Sequence, residues 1–252
     1  MFAMLIDTHC HIHEPDFPLP IKEVMLNATE SDVKKMICVG TSDKSSREAI
    51  DFADAHENVW ASIGVHPHDT RDGYEELKAL AGTSDKIIAV GEIGLDYFYT
   101  HSPKELQIQA LRHQIELAIE HNLPVIFHVR EAFDDFWPIF DSYPGLRGEL
   151  HSFTDSKENL DKALERGLYI GVNGISTFTK DESQKATFDS IPLDRLLLET
   201  DAPFLTPAPF RGKVNEPAYV RNIAEYHANR RGISVEEIAS ATTANAETLF
   251  AL

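Results

Sequence analysis

Eight short apolar runs separated by longer amphipathic stretches are the feature that most constrains the fold of this 252-residue chain. Most of the runs are rich in Val, Ile and Leu and are too short for helices, which favours buried parallel strands. The runs lie at residues 5–7, 35–40, 59–64, 87–92, 124–128, 146–151, 168–171 and 195–199. Alternation of strand and helix about eight times in roughly 250 residues is typical of a (β/α)8 barrel.

The stretches between the runs carry signals for helix starts. Residues 45–48 match the capping-box pattern, and Pro103 stands at a first helical position after Ser102. Ser234, followed by Glu237, predicts the start of a final helix. The sequence therefore predicts an α/β fold, a (β/α)8 TIM-type barrel that forms a single domain over residues 1–252. A doubly wound open sheet is the alternative, but the G-x-G-x-x-G fingerprint that favours it is missing after the first run.

The formal net charge of −18 excludes one class of binding surface. A protein that holds DNA through a broad basic face is normally cationic, whereas this chain has 23 basic and 41 acidic residues. A metal-dependent hydrolase remains compatible with this charge because a bound dication reverses the local field.

The chain also lacks the signals of a secreted or membrane protein. The two cysteines imply no disulfide framework, and the apolar runs are too short to cross a bilayer. Residues 1–6 lead directly into the first run, so we expect no secretory leader. We expect a cytoplasmic protein without a membrane segment, and nothing indicates an obligate protein partner.

Polar residues that can bind metal ions close several of the predicted strands. Asp7, His9 and His11 alternate along the first strand and face the same way, while Cys10 faces the opposite way. Two imidazoles at this spacing can share one metal ion, and Asp7 can orient a ligand.

The same pattern recurs at four other strand ends, at Glu92, His128, His151 and Asp201. In a closed parallel barrel these ends converge on one mouth, where clustered imidazoles and carboxylates need a cation. The sequence therefore predicts a metal site.

Five segments in order resemble TatD-type metal-dependent deoxyribonucleases, within the wider amidohydrolase-like group of metal-binding barrels. The segments are residues 6–11, 64–68, 91–97, 124–132 and 197–203, and residues 211–213 and 215–217 also match. The resemblance runs nearly end to end. It implies two divalent ions, with Zn²⁺, Mn²⁺ and Mg²⁺ all left open as their identity.

The resemblance also implies roles for individual residues. It gives His9, His11 and Asp201 as metal ligands, Glu92 as a carboxylate that bridges the two ions, and His128 and His151 as ligands of the second ion. It places His66 beside the substrate. The sixth strand departs from the family pattern, because Asp155 stands where a glycine is common.

The resulting hypothesis is that a metal-bound hydroxide attacks a DNA phosphodiester bond, with Asp201, Glu92 and His66 as the catalytic residues. Asp201 is the expected proton acceptor, and His66 donates to the substrate or holds its loop. Arg130 and Arg211 are candidate phosphate contacts, with ordinary surface arginines as the alternative. The expected substrate is a single-stranded or frayed DNA end, because a barrel mouth admits a strand terminus more easily than a duplex.

Other interpretations use the same residues. The metal site could serve an amidase, a lactonase or another ester hydrolase acting on a small molecule, because the same hydroxide can attack a carbonyl. A non-catalytic metal-binding or nucleic-acid-binding protein is disfavoured, since all six ligands are present. Tyr97, Phe98 and Tyr99 follow the fourth strand, where they could stack on bases or make a hydrophobic lid contact.

Overall fold

The computed structural model describes residues 4–252, and in it eight parallel strands form one sheet in the order of the chain. The strands are β1 (Leu5–Cys10), β2 (Val33–Val39), β3 (Val59–Ile63), β4 (Ile87–Asp96), β5 (Val125–Arg130), β6 (Gly148–Leu150), β7 (Tyr169–Val172) and β8 (Leu196–Leu198). Each predicted apolar run overlaps one of them. The fold class predicted from the sequence, a (β/α)8 barrel, is confirmed.

Helices follow the strands along the chain. They are α1 (Ile21–Glu30), α2 (Asp43–Asp54), α3 (Leu77–Leu80), α4 (Lys104–Glu120), α5 (Phe133–Asp141), α6 (Lys157–Glu165), α7 (Ile175–Phe178), α8 (Glu182–Asp189), α9 (Val220–Arg231) and α10 (Val235–Phe250). Within residues 4–252, no helix combines the length and the apolar character that crossing a bilayer requires.

The predicted helix starts had different outcomes. Ser234 caps α10, because its hydroxyl accepts the N–H of Glu237 at 3.1 Å. The capping box predicted at residues 45–48 is wrong, because α2 begins two residues earlier. Ser42 is its cap, and the hydroxyl of Ser42 accepts the N–H of Ser45 at 3.1 Å.

The chain divides into two compact units, which are Met1–Cys38 with Ser152–Leu252, and Val39–His151. The single domain over residues 1–252 stays a prediction. In the first unit, β1 pairs with β2 and β7 pairs with β8. An isolated bridge joins Cys10, at the end of β1, to Ala202 after β8. Helix α10 packs against both β1 and β8.

In the second unit, β4 pairs with β3 on one side and with β5 on the other, and β5 pairs with β6. Two buried glutamines of α4 bind the main chain at the ends of β3 and β4. Gln114 accepts the N–H of Val65 at 2.7 Å, just after β3, and Gln107 accepts the N–H of Asp96 at 2.8 Å. Both side-chain amides also donate back to the carbonyl of the same residue. Each glutamine thus satisfies both main-chain polar groups of a strand end, which fixes the residues that follow.

Glycine is required at one point in β4. Gly94 has a φ of +156°, and a Cβ built there would lie 1.8 Å from the carbonyl oxygen of His128. The missing side chain therefore allows β4 and β5 to approach closely beside a predicted metal ligand.

Candidate metal centre

The first unit brings His9, His11 and Asp201 together. The Nε2 atoms of the two imidazoles are 3.2 Å apart, and the Oδ1 atom of Asp201 lies 3.7 Å from His9 Nε2 and 3.3 Å from His11 Nε2. One ligand atom from each side chain thus lies near a common point. The structure thus brings together the three residues predicted at the first and last strands, and their role as metal ligands stays a prediction.

Main-chain hydrogen bonds place Asp201 beside the two histidines. The N–H of Asp201 donates to the carbonyl of His9, and the N–H of His11 donates to the carbonyl of Ala202, both at 2.8 Å. Asp201 has a φ of +60°, in the left-handed region. A non-glycine residue adopts this conformation at a cost, and residues of this kind concentrate at functional sites.

Asp7 supports the same segment. Its fully buried carboxylate accepts the N–H of Thr200 at 2.8 Å and the hydroxyl of Thr200 at 2.6 Å. Burial raises the pKa of Asp7 to about 8, against the effect of these hydrogen bonds. Asp7 therefore orients the Asp201 ligand through the neighbouring threonine.

The second unit brings together His66, Glu92, His128 and His151. The Oε1 atom of Glu92 lies 2.8 Å from His128 Nδ1, 3.5 Å from His66 Nε2 and 3.8 Å from His151 Nε2. Glu92 is thus the carboxylate that all three histidines of this group face, and its role as a bridge between ions stays a prediction.

Two further residues of this site were not predicted from the sequence. Asp96 Oδ2 lies 3.0 Å from His128 Nε2 and 3.0 Å from His68 Nε2. Strand alternation was the available signal, because Glu92 and Asp96 are four residues apart and face the same side of β4. The predicted run ended at residue 92, whereas the strand continues to Asp96.

His128 is held between two carboxylates. One ring nitrogen faces Glu92 and the other faces Asp96. Burial acts to lower the pKa of His128, but hydrogen bonds to Asp96 and Glu92 outweigh it and raise the pKa. A carboxylate behind a metal-binding histidine fixes the ring orientation and increases its basicity.

His66 is held as a donor toward Glu92. Its Nδ1 atom accepts the main-chain N–H of His68 at 3.1 Å, so in the neutral ring the proton lies on Nε2. Burial lowers the pKa of His66 to about 3, which keeps the ring neutral. In this tautomer Nε2 can donate to a substrate, and His66 also belongs to a group with Glu92 and His128 that could hold a metal ion.

The two groups fit divalent cations by their chemistry. Ligand nitrogens and carboxylate oxygens within 4.8 Å of one another occur in each unit. Mixed imidazole and carboxylate ligands are typical of Zn²⁺ and Mn²⁺ sites. In the first group, the two imidazole Nε2 atoms and the carboxylate of Asp201 are arranged as ligands that one cation could take.

The candidate phosphate contacts lie in different surroundings. Arg130 is exposed, and its guanidinium lies 3.9 Å from the ring centroid of Phe98. Arg211 donates to the carbonyl of Thr206 at 2.8 Å and lies 3.8 Å from the ring centroid of Phe178. The hydrogen bond to its own loop gives Arg211 a local structural role, and its contact with substrate stays a prediction.

Residues 6–251 match the family model of the TatD-related DNases. The chain belongs to the TatD-related DNase family. It is 40% identical over 253 residues to YabD of Bacillus subtilis (strain 168), named an uncharacterized metal-dependent hydrolase, with 98% of this chain and 99% of YabD covered. It is 35% identical over 260 residues to the protein of Erwinia amylovora named 3'-5' ssDNA/RNA exonuclease TatD, with 98% of this chain and 100% of that protein covered.

A solved structure in the TatD family supports the same fold. The crystal structure of YJJV, a TatD homologue from Escherichia coli K12, matches this chain with a TM-score of 0.92 at 30% identity, and the match covers 100% of both chains. This TatD-family chain is therefore a metal-dependent hydrolase with a barrel fold.

Proposed function

We propose that the chain hydrolyses phosphodiester bonds of single-stranded nucleic acid, from an end, with two divalent ions. The observation that carries the proposal is the pair of ligand groups. One is His9 with His11 and Asp201, and the other is Glu92 with His128 and His151, whose ring nitrogens lie 2.8 and 3.8 Å from Glu92 Oε1. Two ions are the number that phosphodiester-cleaving enzymes commonly use to hold both the attacking and the leaving oxygen. The Erwinia amylovora relative, named as an exonuclease on single-stranded DNA and RNA, supports this substrate class.

In this proposal each group lies at the carboxyl ends of barrel strands, where enzymes of this fold carry their catalytic residues. His9, His11 and Asp201 would hold one ion, and Glu92, His128 and His151 would hold the other. Nitrogen-rich ligands favour Zn²⁺ or Mn²⁺, and Mg²⁺ is the third candidate.

When bound, the ions lower the pKa of a water molecule and polarise a phosphoryl oxygen. Asp201 would act as the proton acceptor, because its carboxylate is part of the ligand group and is 15% exposed. His66 donates from Nε2 to the substrate, in keeping with its neutral ring and with the proton that its contact with His68 assigns to Nε2. Asp96 holds His128 in place.

The test is digestion of end-labelled single-stranded DNA and RNA with added Mn²⁺, Mg²⁺ or Zn²⁺, each with and without a chelator. We expect stepwise shortening that the chelator abolishes. A duplex, a phosphotriester, a lactone and a cyclic amide form the comparison panel. Turnover confined to the lactone or the amide would replace the nuclease with a small-molecule hydrolase, and internal cleavage would contradict attack from an end.

A further inference from the structure

A cluster of rings and one cation lies beside the second ligand group, and we name it the stacking platform. It consists of Phe98, Tyr99, His101 and Arg130. Phe98 is 48% exposed and Tyr99 is 41% exposed, although both are large aromatic side chains. Contiguous exposed aromatic surface of this kind marks a binding site more often than it marks an ordinary surface.

The rings of the platform contact one another in a fixed arrangement. Phe98 and Tyr99 meet edge to face with their centroids 4.7 Å apart and their planes at 85°. Tyr99 and His101 are stacked, with centroids 5.6 Å apart and planes at 20°. The platform therefore offers flat surfaces whose relative orientation is set before any ligand arrives.

The platform is tied to the ligand group by hydrogen bonds and ring contacts. The N–H groups of Phe98 and Tyr99 donate to Asp96 Oδ1 at 2.9 and 3.0 Å. The ring of His68 lies 5.2 Å from that of Tyr99, and His68 Nε2 contacts the other oxygen of Asp96. The same carboxylate that holds His128 thus also fixes the loop that carries the exposed rings.

Arg130 adds a positive charge to this apolar surface. Its guanidinium lies 3.9 Å from the centroid of Phe98 and 5.0 Å from that of Tyr99. Over the part of the chain that the structure describes, residues 4–252, this guanidinium has no carboxylate partner. A cation held on aromatic faces and left without an acidic partner is notable in a chain of net charge −18. Its charge is free to meet an anion.

We propose that the stacking platform binds an unpaired nucleobase of the substrate, with Arg130 contacting an adjacent phosphate. This inference rests on the proposed nuclease function. It explains how the proposed nuclease site would prefer unpaired nucleic acid. A planar aromatic ligand with an attached anion satisfies both the exposed rings and the cation, and every base has a face that can stack. A base within a duplex must first unpair to reach the rings, so the platform favours single strands and frayed ends.

The test measures binding without turnover. Single-stranded oligonucleotides carrying the fluorescent base 2-aminopurine at each end in turn are titrated with protein in the presence of chelator. The wild-type protein should quench the fluorescence at one end. The double variant F98A/Y99A should lose the quenching and bind at least about tenfold more weakly, the effect expected when stacking on one base is removed.

Two controls separate stacking from general surface effects. Ile119 on α4 is 49% exposed, so I119A removes a comparable apolar group away from the platform and should change nothing. An oligonucleotide with an abasic terminus should bind the wild-type protein as weakly as the normal oligonucleotide binds F98A/Y99A. Unchanged quenching and affinity in F98A/Y99A would overturn the inference, as would the absence of quenching by the wild-type protein.

The contact between Arg130 and phosphate has its own readout. R130Q should lower the slope of log affinity against log salt concentration by about 0.7, the change for one phosphate contact on a single strand. The matched control is R112Q, which alters an exposed arginine of α4 that donates to the hydroxyl of Ser142 at 3.5 Å. An unchanged salt slope in R130Q would contradict this part of the inference.

Failure of this inference and failure of the proposed function give different results. Metal-dependent cleavage of DNA together with normal binding by F98A/Y99A would contradict base binding by the stacking platform and support the nuclease function. Loss of quenching in F98A/Y99A, with no cleavage of any nucleic acid with any added metal, would support base binding by the stacking platform and contradict the nuclease function.

Discussion

The two ligand groups use similar side chains but are held in place in different ways. In the first, main-chain hydrogen bonds between Asp201 and His9, and between His11 and Ala202, set the position of the ligands. In the second group, hydrogen bonds between side chains set the position of His128, because its ring lies between two carboxylates.

This difference indicates where each group depends on its cation. The first group places two imidazole nitrogens 3.2 Å apart with one carboxylate beside them, so a cation stabilises it strongly. The second group has its own carboxylates, Glu92 and Asp96, which hold their histidines by hydrogen bonds. We therefore expect substitutions in the two groups to differ in what they change.

The largest effect is expected from Asp201→Asn. Loss of the carboxylate removes a proposed metal ligand that is also the proposed proton acceptor, and kcat for DNA cleavage should fall by about 10³-fold or more. Circular dichroism should show an unchanged fold. D161N, in an exposed position on α6, is the matched control and should retain full activity. Turnover near the wild-type value in D201N would contradict both roles of Asp201.

His66→Gln tests whether this histidine acts as a donor or as a metal ligand. The donor role predicts a loss of about 10²-fold in kcat with an unchanged metal content. Elemental analysis of the purified variant provides the second readout. H121Q, at the exposed end of α4, serves as the control. Loss of one metal equivalent in H66Q would instead place His66 among the ligands.

Asp96→Asn tests the side-chain support of the second group. Removing the charge that holds His128 should weaken binding of one metal ion by about 10- to 100-fold, while the other ion binds normally. Calorimetric titration of metal into the apo protein measures both affinities. The control is D134N, an exposed carboxylate of α5. An equal loss of affinity for both metal ions would mean that Asp96 supports more than the second group.

The smallest expected effect is a pH dependence of stability that comes from His227. This buried histidine lies outside both ligand groups and is compared with their histidines. Its Nε2 atom contacts the hydroxyl of Ser176 at 3.0 Å, and burial lowers its pKa from 6.5 to about 3, with a further contribution from the charge of Arg231. The unfolded chain thus binds a proton at a pH where the folded chain does not. The stability that the neutral ring contributes is complete above pH 6.5 and declines as the pH falls toward 3.

Between pH 6.5 and pH 5.5 this linkage should cost about 1 kcal/mol of unfolding free energy. Urea unfolding of the wild-type protein and of H227Q at both pH values isolates the contribution, because H227Q keeps the contact with Ser176 and cannot gain the proton. An equal pH dependence in the two proteins would show that His227 does not titrate as its burial implies.

Local periodicity explains how far the sequence predicted the fold and the site. Strand alternation identified His9 and His11, and apolar runs located all eight strands. The prediction was incomplete where a strand carries a second carboxylate. The fourth apolar run was placed at residues 87–92, and Asp96, at the end of β4, was not assigned to the site, nor was its partner His68.

The sequence by itself determined which residues can act as ligands, because the spacing of polar residues along each strand is a local property of the chain. Tertiary structure alone decided which atoms meet. Asp201 reaches His9 through a main-chain hydrogen bond across 192 positions of the chain, a pairing that no local pattern encodes. In the same way, folding placed Arg130 on exposed rings and tied Arg211 to its own loop, although the two residues look alike in the sequence. The physical reason is that the direction and the partners of a side chain depend on long-range packing, whereas its chemical type is already fixed in the sequence.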